Sequence, residues 1–140
     1  MKLYIQKPMI QGAWAWINEG YRSAWQEAGF DVIPYNDILE IDTTNDYHIM
    51  AWEYDIKGRT EALAVLERAQ KAYFYVQPNY FPPPWGLHPN WQCSLSDKMI
   101  DQINNIEHVH LWNFGDTRND FFFKWNDVLS LPLGFDSLTY

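Results

Sequence analysis

Apolar and polar positions along this chain alternate between two periods, one typical of buried strands and one typical of amphipathic helices. Short apolar runs rich in β-branched and aromatic residues predict strands. These runs lie at 3–6, 30–35, 47–54, 73–77, 107–112 and 128–133. Apolar residues recur at helical spacing over 15–29, 58–72 and 96–105, and a turn with a short helix is predicted over 115–126.

The ends of the predicted helices carry their own signals. The apolar face of the first helix is predicted to consist of Ile17, Tyr21, Ala24, Trp25 and Ala28. Gly29 follows this face and predicts the end of the helix, and Ser96 is the predicted cap of the helix at 96–105. Five prolines between 78 and 95 exclude a helix interior or a central strand there.

Strands and helices alternate over the whole length, which predicts an α/β fold. We expect a three-layer α/β/α sandwich with a Rossmann-like, mostly parallel sheet of about six strands. No repeat or linker interrupts the pattern, so one domain spanning 1–140 is expected. Ligands of such sheets bind beyond the carboxyl ends of the strands, where the strand order reverses.

Composition narrows the classes of function. The net charge is −8, with ten basic residues scattered among eighteen acidic ones, so binding to nucleic acid is not expected. No apolar run approaches the roughly 18 residues that span a bilayer. The N-terminus lacks the apolar core of a signal peptide, and Cys93 is the single cysteine, so a cytoplasmic protein without disulfides is expected.

Several motifs with defined chemistry are absent from the sequence. There is no G-x-G-x-x-G, no P-loop, no G-x-S-x-G, no C-x-x-C and no H-E-x-x-H. No cofactor is therefore expected. His108 and His110 lie two apart on a predicted strand and could begin a metal site, but no third ligand is evident, and ordinary hydrogen-bonded histidines are the favoured interpretation.

Two carboxylates follow the third predicted strand. Glu53 lies at its carboxyl end, where a carboxylate can accept a proton or a hydroxyl hydrogen from a substrate. For Asp55 two interpretations stay open, a role in such a site or an acidic cap at the entry of the next helix.

The long proline-rich loop carries Trp85 and His88 among several aromatic rings. Long loops of compact domains are often functional, so this loop is a candidate for binding substrate or for docking another domain. Aromatic residues make up 18% of the chain. They fit a core and an interface, or a site in which rings stack on sugar faces.

Two stretches resemble the N-terminal domain of GT-B fold glycosyltransferases. The first, 12–35, is similar to the opening β-α-β unit, with matches at Ala24, Trp25, Ala28, Gly29, Phe30 and Val32. The second, 131–140, is similar to the end of that domain, with matches at Leu131, Pro132, Leu133, Gly134, Phe135, Asp136 and Tyr140.

The resemblance implies the acceptor-side half of an enzyme that transfers a sugar from a nucleotide sugar to an acceptor hydroxyl. It implies a sugar acceptor as ligand, and a C-terminal nucleotide-sugar domain or partner chain that this sequence lacks, so activity of the chain alone is not expected. The acceptor would face 8–16, 52–58 and 78–92, with Gly12 allowing close approach, Glu53 or His88 making polar contacts, and Trp14 or Trp85 stacking.

Two other interpretations remain. One is a non-catalytic binding or assembly module, which docks a partner or a second copy through an aromatic surface and would form a homo-oligomer in the latter case. The other is a small α/β enzyme whose site carries no motif named above.

Overall fold

The computed structural model describes residues 1–7, 13–56, 58–76, 80–81, 86–87, 95–113 and 125–130. Six strands form one sheet: β1 (Lys2–Gln6), β2 (Asp31–Tyr35), β3 (Tyr47–Trp52), β4 (Lys71–Val76), β7 (Val109–Asn113) and β8 (Val128–Ser130). Two further strands, β5 (Tyr80–Phe81) and β6 (Gly86–Leu87), pair as a separate antiparallel ribbon. The α-helices are α1 (Ala13–Glu27), α2 (Glu53–Ile56), α3 (Leu63–Arg68) and α4 (Asp97–Asn104), with short 3-10 helices at Ile38–Glu40 and Thr60–Ala62.

The main sheet confirms the predicted α/β class. Its strand order is β2-β1-β3-β4-β7-β8, and every neighbouring pair is parallel. The main sheet has the predicted number of about six strands, and the separate ribbon of β5 and β6, within the proline-rich loop, was not predicted. From β1 the chain crosses to β2 on one side of β1. From β2 it passes back to β3 on the other side of β1, so the strand order reverses between β1 and β3. This is the order of flavodoxin-type sheets, whose ligands bind at that reversal.

Side-chain alternation along the strands divides the core between the two faces of the sheet. In β3, Ile49 and Ala51 face the larger core, which also holds residues of α3 and α4, whereas Met50 faces α1. Fully buried members of the larger core include Tyr47, Leu66, Phe74, Ile100, Ile103 and Leu111. Helices therefore cover both faces, as a three-layer sandwich requires.

The end of α1 confirms the stop predicted at Gly29. The amide of Phe30 donates to the carbonyl of Trp25 and that of Gly29 donates to Gln26, which together form a Schellman motif. Gly29 has a φ of 97°, a left-handed conformation that glycine adopts without strain.

The buried face of α1 is rotated relative to the prediction. Tyr21 and Trp25 pack against the core on this side of the sheet, as expected, but Ala24 and Ala28 are exposed. Asn18 takes the inward position instead and is only 1% exposed. The alanines were wrongly assigned because their small side chains satisfy an apolar pattern without needing burial.

Two predicted boundaries were also wrong. The third strand was expected to continue to 54, but it ends at Trp52, where the helical turn of α2 begins. The helix expected over 58–72 is shorter, since α3 ends at Arg68. Lys71 and Ala72 belong to β4, because Lys71 pairs with His48 of β3 and Ala72 pairs with Val109 of β7. Pairing with two strands outweighs the helix preference of these residues.

The cap of α4 gives a first testable prediction. The Ser96 hydroxyl accepts a hydrogen bond from the Met99 amide at 3.2 Å, as predicted for the N-cap. Ser96→Ala should lower the free energy of unfolding by about 1 kcal/mol, measured by urea denaturation followed by tryptophan fluorescence. Ser23→Ala, on the exposed face of α1, is the control and should leave stability unchanged or slightly raised. Equal effects of the two substitutions would contradict the capping role.

Candidate functional site

A crevice lies at the carboxyl ends of β1 and β3, where the strand order reverses. Its cavity volume is about 10 Å³, room for about one water molecule. Its walls are Ile5, Gln6, Asn18, Tyr21, Met50, Ala51 and Trp52. These residues come from β1, α1 and β3, so three of the main elements of the fold meet there. The position is the one at which doubly wound sheets bind ligands.

Asn18 is the most deeply buried polar side chain of this crevice. Its Nδ2 donates a hydrogen bond of 2.7 Å to the carbonyl of Gln6, the last residue of β1. Its Oδ1 is buried and has no hydrogen-bond partner in the part of the chain that the structure describes. A buried amide oxygen without a donor is costly, so a water molecule or a group of a ligand is the expected partner of this atom.

Glu53 directly follows the crevice wall at Trp52. It is the first residue of α2 and is 2% exposed, so the carboxylate expected at the end of the third strand is held inside the fold at the carboxyl edge of the sheet. Buried carboxylates in proteins are usually paired or hydrogen-bonded.

Asp55 fixes the corner at which β3 turns into α2. One carboxylate oxygen, Oδ2, accepts hydrogen bonds of 2.8 Å from the Trp52 amide and 2.8 Å from the Tyr35 hydroxyl. Trp52 is the N-cap of α2, and Asp55 lies in its first turn. The hydrogen bond between them is the one that an acidic residue of the first turn accepts from the N-cap amide in a capping box. Of the two interpretations of Asp55, the helix-entry cap is therefore observed, although the helix is α2 and not the later one near Gly58.

Burial dominates the electrostatics of this corner. It raises the pKa of Asp55, although the bonds from Trp52 and Tyr35 act in the opposite direction. Burial next to Asp55 also holds the pKa of Tyr35 well above its usual range, so the phenol remains a hydrogen-bond donor. Arg59 pairs with Asp37 at 2.8 Å, and the pKa of Asp37 is lowered by the Leu39 amide and by Arg59.

A cluster of aromatic rings covers the sheet beside the crevice. The ring of Trp25 stacks on Trp112 with centroids 5.8 Å apart and planes 5° apart, and Tyr73 lies against both rings. Tyr21, a wall of the crevice, stacks on Trp112 at 6.0 Å, and burial raises its pKa to about 12. The cluster joins α1 to β4 and β7 and so gives the crevice a stiff wall.

The two histidines do not form a common site. Nε2 of His108 donates to the carbonyl of Leu66 in α3 at 2.7 Å, whereas Nδ1 of His110 pairs with Asp127 at 2.6 Å. His108 precedes β7, which begins at Val109, so strand alternation does not place it beside His110. The described residues contain no group of three or more metal-ligating side chains.

The structure describes only part of the predicted set of site residues. Glu53 lies at the expected edge of the sheet, and Trp14 belongs to α1, with its side chain outside the description. Gly12, Trp85 and His88 lie outside the described residues. Sequence reasoning missed Asn18, although its spacing from Tyr21 and Trp25 puts a polar residue on the apolar stripe of α1, a signal that could have been read.

Comparison with known proteins leaves the family open. No protein-family model, curated protein or solved structure matches this chain. Within the described residues, no helix has both the length and the apolar character to cross a membrane.

Proposed function

We propose that this chain is the acceptor-side domain of a GT-B type glycosyltransferase in the cytoplasm, and that it binds a sugar acceptor at the carboxyl edge between β1 and β3. The observation that carries the proposal is the crevice at the reversal of strand order; the buried Glu53 directly follows its wall residue Trp52 at the same edge of the sheet. The two resembling stretches, 12–35 and 131–140, support the same family.

The chemistry of the crevice fits a neutral, hydroxyl-bearing ligand. Its described walls contain amide, phenol, indole and aliphatic groups, and no lysine or arginine is among them. Aromatic rings beside polar acceptors are well suited to sugars, whose faces are apolar and whose edges carry hydroxyl groups.

Transfer requires a second half that holds the nucleotide sugar, supplied by a further domain or a partner chain. The acceptor oxygen would attack the anomeric carbon of the donor, the bond to the nucleotide diphosphate would break, and the hydroxyl proton would pass to a base. The charge that develops on the leaving diphosphate would be stabilised by groups of the donor half. In this scheme Glu53 holds the acceptor hydroxyl through a charge-assisted hydrogen bond.

Glu53→Gln tests this role. The wild-type chain is titrated with neutral methyl glycosides of glucose, galactose, mannose and N-acetylglucosamine, and binding is followed by NMR amide shifts. We expect at least one glycoside to bind and Glu53→Gln to weaken it by about ten- to a hundredfold, the usual value of a hydrogen bond to a charged group.

The exposed Glu67→Gln is the matched control, since it makes the same chemical change on the outer side of α3. Circular dichroism of both variants checks that they are folded. Unchanged affinity in a folded Glu53→Gln protein would remove Glu53 from the site, and binding of none of the glycosides to the wild type would refute the proposal.

The assembly module remains a second candidate, with weaker support. The aromatic cluster on the α1 side is the surface in question, but its rings are half-buried and pack against one another. Among the described residues, the large apolar side chains that are exposed are Met1 and Leu39, which do not form an aromatic docking face.

A further inference from the structure

The orientation of the Asn18 amide is determined by its one hydrogen bond. The carbonyl of Gln6 can only accept, so the amide atom 2.7 Å from it must be the nitrogen. The oxygen is therefore the atom left without a donor, and the alternative orientation would set two acceptors against each other. Asn18 presents a fixed acceptor that can be satisfied only by a group bearing hydrogen.

The space beside Asn18 limits what that group can be. The whole cavity is about the size of one water molecule. A single hydroxyl group therefore fits there, inserted from the edge of a larger ligand. A ligand hydroxyl that reproduces the hydrogen bond of a displaced water retains affinity, whereas a group that cannot do so loses it.

A phosphate group fits this position poorly. At neutral pH a phosphate presents mainly acceptor oxygens, which would face the Asn18 oxygen without a hydrogen between them, and no described residue lining the crevice is cationic. The crevice thus differs from the phosphate-binding sites found at this position in many doubly wound folds.

We propose that Asn18 is a specificity-determining residue, which selects a neutral hydroxyl-bearing ligand over a phosphorylated one through a hydrogen bond from that hydroxyl to its Oδ1. The inference rests on the proposed function in one respect, that the hydroxyl belongs to a sugar acceptor.

The test removes first the hydroxyl of the ligand, with deoxy glycosides, and then the acceptor of the protein, with Asn18→Leu. The best-binding methyl glycoside from the panel is compared with its monodeoxy analogues on the wild type and on Asn18→Leu, which is close in size and lacks the acceptor. One deoxy analogue should bind the wild type about tenfold more weakly than the parent glycoside, and the two should bind Asn18→Leu equally, which isolates the pairwise contribution. Equal affinity of all analogues for the wild type would refute the inference without any variant.

Further ligands separate the two proposals. Inorganic phosphate should leave the amide signals of Gln6, Asn18 and Trp52 unmoved, and movement by phosphate at these positions overturns the selectivity. If a glycoside binds but shifts only residues away from these three, the role of Asn18 fails and the sugar-acceptor proposal stands. If no glycoside binds and glycerol shifts these residues in the wild type but not in Asn18→Leu, the role of Asn18 stands and the sugar-acceptor proposal fails.

Should Asn18→Leu not fold, Asn18→Asp replaces it in the comparison, because it keeps an acceptor oxygen at this position and loses the donor to Gln6. It should preserve the discrimination between the parent glycoside and the deoxy analogue. Loss of that discrimination in folded Asn18→Asp would assign the effect to the donor and overturn the inference.

Discussion

Asp55→Ala is expected to lower the free energy of unfolding by about 2 to 5 kcal/mol, since each buried donor left without a partner costs roughly 1 to 3 kcal/mol. The substitution removes the acceptor of two buried donors, the Trp52 amide and the Tyr35 hydroxyl. It also releases the corner between β3 and α2, which holds Trp52 against the crevice and Glu53 inside the fold. Urea denaturation followed by tryptophan fluorescence measures the loss.

Two milder substitutions separate the donors. Tyr35→Phe removes one donor and keeps the cap of α2, so it should cost about 1 kcal/mol. Asp55→Asn retains an acceptor oxygen and should cost less than Asp55→Ala. If Asp55→Ala were as stable as the wild type, the corner would not depend on these hydrogen bonds.

The pH dependence of Asp55→Asn gives an independent check. Burial raises the pKa of Asp55 above its ordinary value of 3.8, so the folded protein holds this proton more tightly than the unfolded chain. Protonation of Asp55 therefore stabilises the fold, fully below pH 3.8 and progressively less as the pH rises through the folded pKa. The asparagine variant lacks this contribution, so the stability of the wild type relative to the variant should increase as the pH falls from neutrality.

The free energy of unfolding of Asp55→Asn must be subtracted from that of the wild type at each pH, because other carboxylates change stability with pH in the opposite direction. The pKa of Asp37 is lowered by the Leu39 amide and by Arg59, so its contribution to stability is lost as the pH falls. Asp37, Arg59 and Tyr35 are the groups that act on Asp55, and all three are retained in the variant. A difference between wild type and variant that is independent of pH would contradict burial as the cause of the raised pKa.

Phe74→Ala is the second substitution with a large expected effect, a loss of about 3 to 5 kcal/mol. The Phe74 side chain is completely buried in β4, and its ring lies 5.9 Å from that of Trp125, which precedes β8. Its removal leaves a cavity at the centre of the larger core and takes away the packing partner of Trp125. The loss of stability is measured by urea denaturation, with circular dichroism as a second probe.

Phe74→Leu is the matched control and should cost clearly less, because it fills most of the same space with an apolar side chain. Tyr73→Ala, one position away on the half-buried opposite face, should also cost less than Phe74→Ala. Equal losses at 73 and 74 would show that the two faces of β4 are not packed as described.

The parallel α/β sheet could be predicted because each strand is buried on both faces and therefore forms a continuous apolar run. Gly29 and Ser96 marked helix ends through local chemistry, which depends only on nearby residues. Boundaries failed where distant contacts decide them. Lys71 belongs to β4 because it pairs with His48 of β3. Glu53 begins a helix because Asp55 accepts hydrogen bonds from the Trp52 amide and the Tyr35 hydroxyl. The local sequence shows neither the strand pairing nor the contact with Tyr35.

The candidate site could be predicted only in outline. The position of Glu53 at the carboxyl edge was predicted because the end of a buried strand is recognisable from the sequence; its role as a ligand contact stays a prediction. Asn18 was missed because its burial depends on a hydrogen bond to the backbone carbonyl of Gln6, in β1. Every residue has a backbone carbonyl, so the sequence does not mark this one as a partner. Side-chain identity cannot show which backbone atom a buried amide will meet.

NMR shift mapping of the whole chain during titration with the panel of methyl glycosides shows directly whether the reversal of strand order between β1 and β3 binds a neutral sugar. The largest shifts are expected on Gln6, Asn18, Trp52 and Glu53, at the carboxyl edge of the sheet. Shifts confined to the opposite edge, around Lys2, Tyr47 and Val109, or no shifts with any glycoside, would contradict this expectation.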